Sequence, residues 1–301
     1  MARARKSGRQ TPEADPVEGS TRIESVFGEP RNYFDNRLVY LMVSQRARGL
    51  SVGVNLNPDQ NCNFRCVYCE IRRDQSAGGS RVDVHVMVSE LERMLSWIRR
   101  DKIRELACYA TVPADLLRFR NVSLSGNGEP TLCPNFSEVV RSLVHLRAQD
   151  PHSFFQLVLV TNATGLHLPE VRQGLEWFTA QDEVWAKLDA GTQAGMDRIN
   201  RSRVPMAKVL DNILLVGRQR PVVIQSLFAS VHSESPSAED IEEYVRRLTE
   251  LRDAGAQIAL VQIYSAHRPT AVASCHHLSL PFLSRIAHRV REATGFRAEV
   301  F

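Results

Sequence analysis

The sequence is poor in cysteine and aromatic residues and has no long hydrophobic run. Only six of its 301 residues are cysteine, and Phe, Trp and Tyr together make up 7%. No stretch of about 18 consecutive apolar residues is present, which argues against a membrane-spanning helix and against a membrane as partner. The basic opening MARARKSGRQ is not followed by the apolar stretch of a secretion signal, so we expect a cytoplasmic protein.

The overall composition is that of a globular protein with a modest positive charge. Hydrophobic residues account for 43% of the chain and charged residues for 24%, which is enough to form a substantial core. The net charge of +4 is below that of a dedicated nucleic-acid-binding protein. Residues 1–20 are polar and basic and contain no aromatic residue, which predicts a flexible tail. Residues 21–301 are expected to form one domain.

Short apolar segments alternate with amphipathic segments along this domain. The segments with a strand pattern are residues 50–56, NVSLSG, FFQLVLVTNAT, EVWAKLDAG, PVVIQSLFASV and QIALVQIYS. Strands that alternate with helices form right-handed crossovers around one parallel sheet. Because six strands are too few for a closed barrel, the pattern predicts an α/β fold, a partial (β/α)6 TIM-like barrel of parallel strands with outer helices. A doubly wound sheet is the alternative.

Three helix boundaries are also predicted. Ser89 and Glu92 have the spacing of a capping box, which predicts that the first helix begins there. Ser237 is expected to cap a later helix, and Gly295 is expected to end the last one.

Three of the six cysteines lie within eight positions. Cys62, Cys66 and Cys69 directly follow the first predicted strand, at the end of a parallel sheet where active residues gather. No fourth cysteine or histidine is near enough in sequence to complete a tetrahedral zinc site. An iron–sulfur cube normally takes four thiolates, so three would leave one iron open for a small molecule.

The spacing Cys-x3-Cys-x2-Cys, with Tyr68 before the last cysteine, resembles the cluster loop of the radical S-adenosylmethionine (SAM) enzymes. The resemblance implies one [4Fe-4S] cluster ligated by the three cysteines, with SAM bound at the open iron. It also implies reductive cleavage of SAM to a 5′-deoxyadenosyl radical, which abstracts hydrogen from a substrate. An electron donor such as flavodoxin or ferredoxin would be needed, and Tyr68 would pack beside the adenine.

A second signature follows the second predicted strand. In SGNGEPTL, the residues Gly126, Gly128, Glu129 and Pro130 resemble the glycine-glutamate-proline motif that holds the methionine end of SAM in this family. Glycine allows backbone oxygens to approach closely, and a carboxylate accepts hydrogen bonds from an ammonium group. Glu129 is therefore the expected contact of the SAM amine. A simple turn with a helix cap is the alternative.

Polar residues at the later strands complete the candidate site. Asn162 lies in a turn similar to the family's Thr-Asn-Gly turn and is expected to bind the ribose or carboxylate of SAM. Lys187 and Asp189 share one face of their strand and are candidate catalytic residues, or else a structural ion pair. Gln225 and Gln262 are polar residues among apolar neighbours, and they are either cofactor-binding or structural.

The other cysteines are more typical of buried free thiols. Cys108 precedes the second strand, at the wrong end of the sheet for catalysis. Cys133 and Cys275 follow strands at the functional end. Cys275, which precedes two histidines, is a candidate catalytic residue, as a hydrogen donor or an extra ligand.

The motifs together resemble compact iron–sulfur oxidoreductases related to the wyosine tRNA-base-forming branch of the family. Residues 1–61 contain no cysteine, so the second cluster of the wyosine-forming enzymes is not expected. We predict hydrogen abstraction from a small molecule or peptide, with modification of an RNA (tRNA) base as the alternative. A zinc-stabilised binding protein and a noncatalytic cluster carrier are the competing classes.

Overall fold

A computed structural model describes residues 35–71, 80–149, 154–266, 270 and 272–301. The predicted tail, residues 1–20, lies outside these ranges. The described strands are β1 (Val39–Ser44), β2 (Gly49–Asn55), β3 (Phe119–Ser125), β4 (Gln156–Thr161), β5 (Glu183–Lys187), β6 (Val222–Leu227), β7 (Ser230–Val231), β8 (Ile258–Tyr264), β9 (Cys275–His276) and β10 (Ala298–Val300).

One sheet of eight strands organises the domain, in the order β1-β2-β3-β4-β5-β6-β8-β10. All neighbours from β2 to β10 are parallel, and β1 pairs with β2 in the antiparallel sense. The six predicted strands are confirmed as β2, β3, β4, β5, β6 and β8. The sheet adds an edge strand at each end, β1 and β10, that the sequence analysis did not predict. Two short strands that are distant in sequence, β7 and β9, pair in the antiparallel sense and form a separate ribbon.

Seven α-helices connect the strands in the described ranges. They are α1 (Val84–Arg99), α2 (Phe136–Gln149), α3 (Pro169–Leu175), α4 (Gln193–Asn200), α5 (Met206–Gly217), α6 (Ala238–Asp253) and α7 (Leu280–Thr294). Four short 3₁₀ helices lie between them, at Lys102–Glu105, Ala107–Tyr109, Ala114–Leu117 and Pro130–Leu132. Within the described parts of the chain, none of these helices combines the length and apolar character needed to cross a membrane.

Two of the predicted helix boundaries are confirmed and one is wrong. Ser237 caps α6 in a capping box with Asp240, and Gly295 ends α7 with a left-handed backbone, at φ 71°. The first helix begins at Val84 with Asp83 as its cap, so Ser89 lies inside it. The cap is local, because the Asp83 carboxylate accepts from the Val86 N–H at 3.1 Å. Farther along α1, the buried Glu90 accepts hydrogen bonds from three backbone N–H groups that lead into β1.

The sheet has one face toward the helices and one concave face toward the interior. Alternate residues of a strand share a face. Val122, Leu124 and their equivalents on other strands join the main apolar core with the helices. The opposite face carries a small apolar cluster of Val158, Trp185 and Val223 and, beyond it, polar residues.

The two ends of the sheet approach each other through side chains. The turn between β1 and β2 places Ala47 against the apolar cluster around Trp185. Its neighbour Arg48 pairs with Glu299 of β10 at 2.6 Å. Strands β1 and β10 are not paired with each other, so the sheet is a partial barrel, as predicted.

A buried ion pair fixes the strands at the edge opposite the cysteines. Arg147 of α2 donates two hydrogen bonds to Asp182, at 2.7 and 3.1 Å, and both side chains are almost fully buried. The Asp182 carboxylate also accepts from the backbone N–H groups of Leu157 and Thr179. Burial raises the pKa of Asp182, but the hydrogen bonds from Arg147 and these N–H groups outweigh it and lower the pKa below 3.8.

We expect Asp182→Asn to lower the free energy of unfolding by about 3–5 kcal/mol, because it leaves the Arg147 guanidinium buried without its anion. Denaturant titration at neutral pH measures this loss. The pKa of Asp182 is lower in the folded protein than in the unfolded chain. The stabilisation from its carboxylate is therefore complete above the pKa of the unfolded chain, and it is lost as the pH falls through the pKa of the folded protein. The exposed pair Arg289–Glu242 supplies the control Glu242→Gln, which should change little. Equal effects of the two variants would contradict the prediction.

Candidate cofactor site at the carboxyl ends of the strands

The three motif cysteines lie on the loop that follows β2. Cys62, Cys66 and Cys69 are half-buried thiols, and the Cys69 N–H donates to the Cys66 carbonyl at 3.0 Å. The loop is also tied to the end of α4: the N–H groups of Arg65 and Val67 donate to the carbonyls of Asn200 and Ile199, each at 2.9 Å. Helix α4 therefore fixes the course of the cysteine loop.

Cys66 has the most defined surroundings of the three. The side-chain amide of Asn200 donates to its sulfur at 3.4 Å. Burial, together with the nearby Asp189, raises the pKa of the Cys66 thiol to about 11. Metal binding must therefore displace a proton there. In the described ranges, no three His, Cys, Asp or Glu side chains are gathered closely enough to hold a single metal ion.

The donor set fits an iron–sulfur cluster with an open corner. Three sulfur ligands on one loop are the ligand type of such clusters, and an amide donor to a ligating sulfur is one way in which proteins tune them. All three cysteines are half-buried, so part of each side chain stays accessible.

The loop after β3 packs directly on the cysteine loop. A Cβ on Gly128 would collide with the Asn61 carbonyl oxygen, and the Glu129 N–H donates to that same oxygen at 2.9 Å. Gly126 has φ +137°, and a side chain there would collide with Asn55. Glycine is thus required at both positions, for close approach at Gly128 and for backbone conformation as well at Gly126.

Glu129 is turned into the protein and is already hydrogen-bonded. Its carboxylate accepts from the N–H and hydroxyl of Thr131, at 3.1 and 2.6 Å, from the hydroxyl of Thr161, and from the Asn162 N–H at 2.7 Å. The residue is 2% exposed. Burial raises its pKa, and the hydrogen bonds oppose that shift. The carboxylate joins the β3 and β4 loops, while its contact with the SAM amine stays a prediction.

Asn162 also has protein partners. Its side-chain amide donates to Asn63 of the cysteine loop at 2.8 Å, and Asn63 donates to Thr164 at 2.8 Å. The hydroxyl and N–H of Thr164 donate back to the Asn162 oxygen. The structure thus brings the predicted residues together, with Asn162 buried at the contact of the β4 and cysteine loops. A hydrogen bond from Asn162 to SAM stays a prediction.

Asp189 links the cysteine loop to β5 and β6. Its carboxylate accepts hydrogen bonds from the Tyr68 hydroxyl, from the Asn200 amide at 2.7 Å and from the Leu227 N–H at 2.8 Å. Lys187 lies 3.7 Å from the carboxylate. The predicted proximity of Lys187 and Asp189 is therefore present, and Tyr68 belongs to the same cluster.

Lys187, Gln225 and Gln262 form one row across three neighbouring strands. They are paired in register, so their side chains share the concave face. The Gln225 amide donates to the Gln262 oxygen at 2.8 Å, and Lys187 donates to the Tyr264 hydroxyl at 2.8 Å.

The remaining cysteines differ in their distance from this site. Cys275, on β9, is buried in an apolar cluster that includes Val67 of the cysteine loop and Tyr264. Burial raises the pKa of its thiol. Cys133 is buried behind the β3 loop and donates to Asn135 at 3.4 Å. Cys108 lies in the 3₁₀ helix Ala107–Tyr109, on the segment that precedes β3.

Three polar residues of the site were missed by sequence reasoning. Asn55 accepts from the N–H groups of Asn57 and Asn127, and so holds the cysteine and β3 loops together. Asn200 ends α4, a helix that was not predicted. Tyr264 had a detectable signal, because it lies two residues after Gln262 on the same strand and therefore on the same face.

Comparisons with known proteins agree with this architecture. A radical SAM methyltransferase from Sphaerobacter thermophilus aligns over 87% of this chain and 68% of its own, with a TM-score of 0.57 and 17% identity. TYW1 with a lysine-pyruvate adduct bound aligns over 83% of this chain and 75% of its own, with a TM-score of 0.55 and 16% identity. The chain has the radical SAM fold. The predicted fold is confirmed, and TYW1 is among the proteins that share it.

Curated relatives of the chain are also found. The UPF0026 protein slr1464 of Synechocystis is 30% identical over 182 residues, which are 60% of this chain and 58% of that protein. A UPF0026 protein of Helicobacter pylori strain J99 is 28% identical over 178 residues, 59% of this chain and 49% of its own length. The match thus spans less than two thirds of either relative. No family model matches the chain.

Proposed function

We propose that the protein is a radical SAM enzyme that abstracts hydrogen from a small-molecule or peptide substrate. The carrying observation is the convergence of loops: the cysteine loop is bonded to the β3 loop through Asn61, to the β4 loop through Asn63 and to α4 through Arg65 and Val67. A carrier that only held a cluster would have no use for this assembly of loops.

In this proposal Cys62, Cys66 and Cys69 hold one [4Fe-4S] cluster, and the loop around Gly126–Pro130 receives the methionine end of SAM. When bound, these groups supply an organic radical that removes a hydrogen atom from the substrate. The chain's own residues bind and orient these groups and exclude water from them. Gly128 lets the β3 loop lie against the cysteine loop, and Asp189 fixes Tyr68 beside it.

The positions of the cysteines also suit reduction by a partner. All three are half-buried, whereas Gln225 and Gln262 of the concave face are 1% and 2% exposed. The cysteine loop is therefore more accessible than these two side chains. A small electron donor such as flavodoxin or ferredoxin can approach the loop from outside, while the substrate occupies the concave side.

Anaerobic reconstitution with iron and sulfide, followed by reduction with SAM present, tests the proposal. The expected result is a brown protein that forms 5′-deoxyadenosine, measured by liquid chromatography. A colourless protein that binds zinc, or an iron protein whose spectrum does not respond to SAM, would refute it.

An RNA base is the alternative substrate that the wyosine-related motifs leave open. Phosphate contacts release counterions and impose a steep salt dependence on binding. Binding of tRNA at two salt concentrations therefore distinguishes the two classes of substrate. Weak binding with little salt dependence is expected, in keeping with the net charge of +4.

A further inference from the structure

The concave face holds two cations on one aromatic ring. The Arg46 guanidinium lies 4.3 Å from the centroid of the Tyr264 ring, and the Lys187 ammonium lies 5.4 Å from it. Arg46 reaches this place because the turn between β1 and β2 packs its neighbour Ala47 on the floor of the concave face. Two cations are thus placed together by residues far apart in sequence.

Both cations and the ring hydroxyl retain donors for a ligand. Lys187 donates one hydrogen bond to the Tyr264 hydroxyl and lies 3.7 Å from Asp189, so an N–H remains. Tyr264 accepts from Lys187 and keeps its own O–H to donate. Among the described residues, the Arg46 Nε is buried and has no hydrogen-bond partner.

Asp189 does not neutralise this pair. Its carboxylate is bonded to Tyr68, Asn200 and the Leu227 N–H, and only Lys187 is near it. Burial lowers the pKa of Lys187, but Asp189 and Tyr264 raise it above its ordinary value, so the ammonium is charged. Among the described residues, the two cations face this one carboxylate, which leaves one positive charge for a ligand.

A buried acceptor with no hydrogen-bond partner among the described residues lies on the strand next to Lys187. Gln225, which is 1% exposed, is paired in register with Lys187. Its amide nitrogen donates to Gln262, while its Oε1 is buried and has no partner among the described residues. An unpaired buried acceptor costs about 1–3 kcal/mol, a cost that a ligand O–H or N–H would remove.

We infer that Arg46, Lys187, Tyr264 and Gln225 form the substrate-binding site, and that its substrate is a small molecule with an oxyanion, carboxylate or phosphate, next to a hydroxyl or amine. This inference rests on the proposed function, because it places the substrate of that reaction. The cations and the Tyr264 hydroxyl bind the oxyanion, and the Gln225 oxygen accepts from the neighbouring donor. These are positioning and binding roles, and the inference assigns none of them to the chemistry.

Calorimetric titration of the cluster-loaded full chain with three probes tests this site. Glycolate and acetate differ only in a hydroxyl group, and inorganic phosphate separates phosphate from carboxylate binding. We expect saturable binding of one equivalent, with glycolate at least fivefold tighter than acetate. Arg46→Gln and Lys187→Met should each weaken the preferred anion tenfold or more, and Gln225→Leu should remove only the preference for glycolate.

Arg48→Gln is the matched control, because it removes the same charge from the same turn at a side chain that pairs with Glu299. It should leave binding within twofold of the wild type. No saturable binding of any probe, or equal affinities for Arg46→Gln, Lys187→Met and Arg48→Gln, would overturn the inference. The titration needs no SAM cleavage, so its result is independent of the proposed function. A protein that makes no 5′-deoxyadenosine can still bind the probes, and a protein that makes it can fail to bind them.

Discussion

Replacing Cys66 by alanine is expected to abolish both the iron–sulfur absorbance and the formation of 5′-deoxyadenosine. Cys66 is one of the three cysteines that we propose as ligands, and we expect two thiolates to be too few to hold a [4Fe-4S] cluster. We expect the iron content of the reconstituted protein to fall to a few per cent of the wild type, as measured by a colorimetric iron assay and the absorption spectrum.

Cys108→Ala is the control for this experiment. Cys108 is also a half-buried thiol, but it lies in a 3₁₀ helix that precedes β3. This variant should keep the iron, the spectrum and the product. If Cys66→Ala retained its iron, or if Cys108→Ala lost as much, the three-cysteine assignment would be wrong.

Replacing Glu129 by alanine is expected to spare the cluster and to impair the use of SAM. The variant removes four hydrogen bonds that a buried carboxylate accepts from Thr131, Thr161 and Asn162. Hydrogen bonds to charged groups contribute about 1.5–3 kcal/mol each, and their losses overlap, so we expect the free energy of unfolding to fall by about 3 kcal/mol or more. The affinity for SAM should fall at least tenfold, as measured by equilibrium dialysis.

One further variant separates a positioning role of Glu129 from a direct contact. Glu129→Gln keeps the shape and one acceptor oxygen, so it should retain more stability and SAM affinity than Glu129→Ala if the carboxylate mainly holds the loops. Equal losses of SAM affinity in both, with the stability of Glu129→Gln unchanged, would instead indicate a direct contact with the SAM amine. Glu92→Ala, at an exposed position of α1, is the surface control. Loss of iron in Glu129→Ala, as in Cys66→Ala, would contradict the prediction that this variant spares the cluster.

The strands and the cluster loop were predictable because their signals are local. A buried parallel strand such as β4 is a nearly continuous apolar run, and the cysteines of the loop after β2 are neighbours in sequence. Helix α6 carries its own start signal in Ser237. Each of these features depends on residues a few positions apart, so periodicity and spacing were sufficient.

The burial of Glu90 inside α1 and the strand β10 were not predictable in this way. Glu90 is buried inside α1 because it binds backbone N–H groups of a segment more than 50 residues earlier. Strand β10 is three residues long and exists because β8 offers it an edge. Such elements are stabilised by partners distant in sequence, which local patterns do not report.

The sequence by itself determined the chemistry that the cysteine loop can support, the parallel α/β fold and the loops on which the site lies. Only the tertiary structure decided where the polar side chains point. It buried the Glu129 carboxylate among Thr131, Thr161 and Asn162, and it brought Arg46 and Lys187 onto the ring of Tyr264. The physical reason is that hydrogen-bond partners and neighbouring charges are set by the packing of separate strands and turns, whereas ligand type and periodicity are written along the chain.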